Sequence, residues 1–484
     1  MNVLCHLVFR KSGNQLVRKQ QLKTKLKELD MSELNSLTSF ELQLFDSLKK
    51  ADITQNLVVA LSGGLDSKSL LHALVRLHTL GLIGSLKAIH INHGLQVEAE
   101  QWAEQCQLDC NNYKVELISA ELKLNQSQSD TGTSNIESKA REGRYNFFES
   151  TLRPEETLLM AHHQDDQAET LLFRLLRGCG ISGAGAMPVK RQLGEGQLFR
   201  PLLNTSRIDI QGYAKQKGFD WLEDPSNREE KFARNFLRHQ IMPKLKYHWP
   251  AYAKTLSRFS LIATEQTLLL EEVAAKDNES VSTEQNAIKI DKLTSLSILR
   301  QKNLLHFWGR NNAELSPSSA EVEQVLKQLN AAKRQSIEVS FAGLVVRSFA
   351  GELLLSNSLQ PQPLADKVYW PDLAQDLILP NGLKLMALFD QPKGLRLPKS
   401  NESVWVDKRR GGEKCLPDYR GHSAEIKKIY QELAVPPWKR EWLPVIYFNN
   451  ELVAVPGVFV VKAFQSQVGC PSFSLSIESD SNTL

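Results

Sequence analysis

No apolar run in these 484 residues approaches the roughly 18–20 that cross a bilayer, so no membrane-spanning helix is expected. Cysteine is scarce and scattered: Cys5, Cys106, Cys110, Cys179, Cys415 and Cys470. That is no disulfide framework, and a reducing, cytoplasmic setting is the expectation. Cys106 and Cys110 sit four apart, but no second ligand pair stands nearby at a useful spacing, which favours plain thiols over a metal pair. A strong charge of one sign is also missing. The net charge of +4 neither demands nor forbids nucleic acid, so local clusters of Lys and Arg must decide. The start of the chain is basic but lacks the apolar core and cleavage site of a signal peptide. Residues 1–35 read as a disordered basic extension, or as sequence preceding a true start at Met31.

What is present is ordinary globular composition, 42% hydrophobic and 24% charged. The length predicts two to four domains. From Asn56 to Ala161, short apolar runs alternate with helical patterns. The runs are 57–61, 86–91, 115–118 and 157–161. This alternation predicts an α/β fold with a doubly wound parallel sheet, which binds ligands at the carboxyl ends of its strands. Three polar clusters fall there: Ser62–Ser67, His90–Gly94 and His162–Asp166. Beyond Pro250 the pattern turns helical. A helix is expected from Ser316-Pro317, and a hairpin split at Ala350-Gly351. Leu359 to Pro363 reads as a linker to a mixed α+β region. The expected divisions are 36–250, 251–358 and 366–476, with a tail at 477–484.

Ser62-Gly63-Gly64-Leu65-Asp66-Ser67 lacks Walker A spacing, yet its physics is related. The glycines let backbone approach phosphate, and N–H groups at the following helix start can face it. Asp66 beside phosphates makes sense once a divalent cation is supplied, which predicts a magnesium site. Ala161-His162-His163-Gln164-Asp165-Asp166-Gln167-Ala168-Glu169-Thr170 invites a zinc reading. Adjacent histidines on a strand end point to opposite faces, however, and His-Glu-x-x-His spacing is absent. A nucleotide or substrate site is favoured. Arg141 and Arg144 lie three apart and share a helix face.

Ser-Gly-Gly-x-Asp-Ser resembles the signature of the N-type ATP pyrophosphatases (the PP-loop superfamily). Within it the chain resembles the tRNA(Ile)-lysidine synthase family. The ordered set is Ser62–Ser67, His90–Leu95, Asn135-Ile136-Glu137 with Arg141 and Arg144-Tyr145, Ala161–Thr170, Arg177–Gly183, Arg200–Leu203, and Glu223–Asn227 with Arg234-Asn235 and Arg238. The likeness is strong over about 55–245, and returns at Pro436–Val445 and Gly457–Phe459. The chain departs at Gln96, where Arg is usual, at Ala184, where Leu is common, and in its basic N-terminal extension.

The resemblance implies an ATP-dependent ligase. It joins free L-lysine to C2 of the wobble cytidine in a CAU-anticodon isoleucine tRNA, through an adenylated base. It further implies ATP contacts from Ser62, Gly63, Gly64, Leu65, Asp66, Ser67, His93 and His162, with Asp66 on magnesium. Asp66, Glu137, Arg144, Asp165, Asp166 and Glu169 are the expected catalytic residues, four of them as carboxylates for lysine's ammonium groups. Arg200, Arg234 and Arg238 are expected to meet tRNA. So are Lys408, Arg409, Arg410, Lys439 and Arg440, interleaved with Trp405, Tyr430, Trp438 and Trp442. The family leaves room for a homodimer. A tRNA thiolase of the same superfamily would need catalytic cysteines or paired Cys-x-x-Cys, which the sequence lacks. A small-molecule synthetase would leave the two further domains unexplained. A non-catalytic tRNA-binding module would not need the acidic and Gly-rich residues.

Overall fold

The computed structural model describes residues 36–92, 99–122, 134–222, 233–283, 286–331, 337–357, 361–391, 394–467 and 469–479, with the side chains of 134–138 and 479 left undescribed. His93, Gln96 and the Glu223–Asn227 segment lie outside these residues, and so does the side chain of Glu137. The chain divides into two compact units, Met1–Leu269 and Leu270–Leu484.

The first unit opens with α1 (Ser39–Lys50), started by a reciprocal cap. The Thr38 hydroxyl accepts from the Glu41 N–H, and the Glu41 carboxylate accepts from the Thr38 N–H. There follow β1 (Leu57–Ala60), α2 (Leu65–Thr79), β2 (Leu86–Asn92), α3 (Ala99–Tyr113), β3 (Glu116–Glu121), α4 (Ser134–Thr151), β4 (Thr157–Leu159) and α5 (Gln164–Leu176). A hairpin, β5 (Lys190–Leu193) and β6 (Gly196–Phe199), then leads to α6 (Arg207–Lys217). The six strands lie in the order β3-β2-β1-β4-β6-β5. All pairings are parallel except the β5–β6 hairpin at the edge.

The four strands expected from apolar runs are present, and the hairpin was not anticipated. Its turn signal, Gly194-Glu195-Gly196, sits between runs too short and polar to read as strands. Apolar cores lie on both sheet faces. One packs Leu57 and Val59 with Leu70, Leu74 and Tyr213; the other packs Val58 with Phe148, Leu158 and Leu198. Alternate β1 residues therefore face opposite layers, as a buried parallel strand requires. Each fully buried Leu contributes roughly 1.5–3 kcal/mol.

After α6 comes a helical segment, Ala233–Phe236, that passes through a π-helical turn, Leu237–Ile241, into Met242–His248. The long helix Tyr252–Val281 follows.

The second unit holds two cores. One gathers Leu304, Leu305, Trp308, Val325 and Phe341 beneath a four-stranded antiparallel sheet. Its hairpin, Leu344–Phe349 against Glu352–Asn357, turns where expected, with both Ala350 (φ 50°) and Gly351 (φ 83°) left-handed. The helix expected from Ser316-Pro317 runs Ser319–Ala331, and its capping oxygen is Ser318 Oγ, which accepts from the Glu321 N–H. The second core centres on Val406, Tyr430, Val445, Ile446 and Phe473, under five-stranded and four-stranded antiparallel sheets.

Candidate active site

β1 delivers the chain into the turn that carries the phosphate signature. Gly63 has φ +81°. A Cβ there would stand 2.9 Å from Leu222 Cδ1 and 3.3 Å from Cys106 Sγ, so both backbone and space require glycine. The Ser67 hydroxyl latches the turn: it accepts from the Ser62 N–H (3.1 Å) and donates to the Gly64 carbonyl (3.1 Å). Ser62 Oγ lies 3.0 Å from it. The Ser67 side chain therefore shapes the turn. Gly64 caps α2 without a side-chain bond, and the first intrahelical bond is Lys68 N–H to Gly64 O (3.0 Å). The N–H groups of Leu65, Asp66 and Ser67 precede it, and α2 is long enough to add its dipole. Beneath the turn, Lys68 and Asp109 form a buried ion pair at 2.9 Å. Cys106 and Cys110 are buried beside it, and burial pushes their thiols up to about 12 and about 11. They are packing residues.

β4 delivers the second cluster. His163 caps α5, with Asp166 completing a reciprocal box. Its Nε2 lies 3.6 Å from Asp66 Oδ2 and 3.4 Å from Asp166 Oδ2. Burial opposes its charge, but Asp166, Asp66 and Asp165 outweigh burial and raise its pKa. Asp66 Oδ1 is buried with no hydrogen-bond partner among the described residues. An orphaned carboxylate oxygen beside a phosphate-facing turn fits a magnesium ion that also takes phosphate oxygens.

Arg238, from the π-helical turn, grips Glu169 with two bonds of 2.8 Å and reaches Asp166 at 3.1 Å. Arg234 lies 3.5 Å from Glu169 and 3.8 Å from Asp166. Burial alone would raise Asp166; the cations around it hold its pKa down instead. Arg234 and Arg238, expected on tRNA, thus meet the carboxylates expected to hold lysine. Asp165 accepts from the Arg207 N–H (3.1 Å) and the Tyr252 hydroxyl (3.4 Å), which ties it to the scaffold.

On the other side of the strand end, His162 Nδ1 accepts from Arg200 Nε at 3.2 Å, and Arg200 Nη1 donates to the Pro188 carbonyl at 2.7 Å. Arg200 is 3% exposed, the place of a residue that fixes its neighbours and not of one that reaches a polyanion. Arg141 and Arg191 flank the Tyr145 ring at 5.4 and 5.0 Å. Burial opposes ionisation of Tyr145, but Arg141, Arg200, Arg191 and Arg144 together lower its pKa. Arg191 was missed because its strand was missed.

In the second unit, Arg410 pairs with Asp407 (2.9 Å) and lies 4.7 Å from the Tyr447 ring centre. Arg440 donates to the Val435 carbonyl (2.7 Å), and Lys408 to the Ala365 carbonyl (3.2 Å). Lys408 and Lys439 are exposed, and Arg409 is half-buried. Of the interleaved aromatics, Tyr430 is fully buried, and Trp405 and Trp442 are half-buried against the core. Trp438 meets Phe349 at 5.9 Å.

A family model described as "PP-loop domain" matches residues 37–245. Models described as "TilS substrate binding domain" and "TilS substrate C-terminal domain" match 289–354 and 404–477. The chain is 36% identical to a tRNA(Ile)-lysidine synthase of Coxiella burnetii, over 85% of this chain and 91% of the relative. It is 35% identical to one of Photorhabdus laumondii, over 90% and 97%. A solved TILS C-terminal domain covers 24% of this chain and 98% of its own length, at 20% identity and TM-score 0.20. At the identity and coverage of the two full-length relatives, the chain belongs to the tRNA(Ile)-lysidine synthase family.

Proposed function

We propose that the chain ligates lysine to C2 of the wobble cytidine in tRNA(Ile) with a CAU anticodon, consuming ATP. Residues 36–250 carry the chemistry. Cytosine O2 attacks the α-phosphorus, the bond to the β-phosphate oxygen breaks, and pyrophosphate leaves. The neutral ε-amine of lysine then attacks C2, the C2–O bond breaks, AMP leaves and the amine sheds a proton. Lysidine pairs with A in place of G, so decoding moves from AUG to AUA. Adenylation is needed because an amide-like oxygen is a poor leaving group.

The observation that carries this reading is the turn 62–67. Its helix-start N–H groups and the orphaned Asp66 oxygen together fit a triphosphate and cation. Asp66 would hold magnesium, which would supply charge neutralisation on the departing phosphates. Asp166 and Glu169 meet the guanidiniums of Arg234 and Arg238, while Asp66 and Asp165 lie beside the His163 ring. Asp165, Asp166 and Glu169, with Glu137, are assigned to the ammonium groups of free lysine. Arg144 and Arg141 are assigned to phosphate. Modifying an anticodon base requires it to be unstacked and the rest of the tRNA to be held. The exposed Lys408 and Lys439, with Arg409, are assigned to that grip, and the cytoplasm to the location.

A thiolase is not favoured, since Cys106 and Cys110 are buried and weakly acidic and Cys179 is remote from them in sequence. The test is incubation of the purified protein with ATP, magnesium, labelled lysine and total tRNA. Label should enter one isoleucine tRNA; label in none, or in many, contradicts the proposal.

A further inference from the structure

We propose that Arg200 is a positioning residue that locks His162 as the tautomer protonated on Nε2, and that this N–H donates to an α-phosphate oxygen of the bound nucleotide. The inference rests on the adenylation reading above and adds to it a residue that touches no substrate.

The tautomer follows from hydrogen-bond chemistry. A guanidinium N–H donates and never accepts. Arg200 Nε, 3.2 Å from His162 Nδ1, therefore fixes the lone pair on Nδ1, and the single proton of the neutral ring sits on Nε2. Burial pushes His162 below its ordinary pKa, which keeps the ring neutral. Arg200 is itself held. Its Nη1 donates to the Pro188 carbonyl, its backbone N–H to the Val189 carbonyl, and Tyr145 is a further hydrogen-bond partner.

Position follows from register. β4 pairs with β1 so that Leu159 stands beside Val59. Three residues further along each chain come His162 and Ser62, at the carboxyl edge of the sheet. The turn's helix-start N–H groups are suited to the outer phosphates, which leave together. The neighbouring strand end is then the place for the α-phosphate, where cytosine O2 must arrive. Arg200 is buried and His162 only half-buried, so the guanidinium acts through the imidazole. A cation behind Nδ1 polarises the ring and strengthens the Nε2–H as a donor. That donor meets charge that grows as the phosphorus becomes five-coordinate.

A cycle of substitutions tests this by pyrophosphate release from ATP on tRNA(Ile) with a CAU anticodon. His162→Ala removes the donor and should lower kcat about 100-fold, with the KM for ATP within about threefold. His162→Gln carries an amide N–H to the same place and needs no tautomer lock, so it should retain most of the rate. Arg200→Met should cost about 100-fold in the native background but no more than about threefold in the His162→Gln background. Equal losses in both backgrounds would make Arg200 merely structural and overturn the proposal. So would a His162→Gln enzyme as slow as His162→Ala, or a change confined to KM. If Arg200→Met unfolds, Arg200→Gln keeps a polar side chain whose amide can also accept from Nδ1–H, so it does not fix the tautomer and should show the same background dependence. An unsubstituted enzyme that releases no pyrophosphate would sink the adenylation reading and this proposal with it.

Discussion

The two units of this chain use basic side chains in opposite ways. In the first, Arg234 and Arg238 turn inward onto Asp166 and Glu169, and Arg200 onto His162. In the second, Lys408 and Lys439 are exposed, and Arg410 pairs with an aspartate three residues away. Sequence alone places all of them in one tRNA-binding class. A guanidinium that neutralises a buried carboxylate is part of the site's electrostatics. One on a solvated face acts on a polyanion and is screened by salt.

That contrast is broken most severely at the turn of the first unit. Asp66→Asn removes the charge assigned to magnesium and should abolish pyrophosphate release, a loss on the order of a thousandfold or more. Near-native turnover of this variant would remove Asp66 from the mechanism. Arg238→Ala leaves Glu169, 4% exposed, without its bidentate partner, and should destabilise the first unit by about 3 kcal/mol. Denaturant unfolding checks this; a loss under about 1 kcal/mol would mean that the pair behaves as a surface ion pair.

The same operation in the second unit should leave folding intact. Lys439→Ala with Arg409→Ala should weaken tRNA binding and reduce the slope of log affinity against log salt by about 0.9 for each phosphate that these two side chains neutralise. ATP affinity should not change. An unaltered salt slope would show that these residues do not meet phosphate.

The smallest effect belongs to a buried carboxylate outside the site. Glu41 accepts from the Thr38 N–H (2.7 Å) and the Tyr213 hydroxyl (2.9 Å), with Lys217 at 3.2 Å. Burial would raise its pKa, but those partners outweigh burial and lower it. Its stabilisation is therefore complete above the carboxylate's unfolded pKa and is lost as pH falls through the lower folded value. Thermal midpoints of the native chain and Glu41→Gln should converge in acid. A gap that stays constant with pH would refute the linkage.

The strands β1, β2 and β4 were legible because buried parallel strands leave apolar runs, whereas β3, exposed or half-buried at the sheet edge, was legible only from the run 115–118 at its start. The turn 62–67 was legible because glycine spacing encodes a backbone requirement directly. The β5–β6 hairpin left no such run, with Lys190, Arg191, Gln192 and Gln197 among its eight strand residues. The partners of Arg234, Arg238 and Arg200 were not legible for a different reason. Each pairs with a residue 38 to 72 positions away, and charge in a sequence names no partner. Among the aromatics of the C-terminal region, Tyr430 neighbours basic residues in sequence yet is fully buried in space, which sequence order does not show.

The most direct test of the central claim is a structure of the protein with magnesium and an ATP analogue that cannot release pyrophosphate. The outer phosphates should lie on the N–H groups of Leu65, Asp66 and Ser67, with the cation bound to Asp66. A nucleotide seated away from this turn, or a cation held without Asp66, would contradict the account.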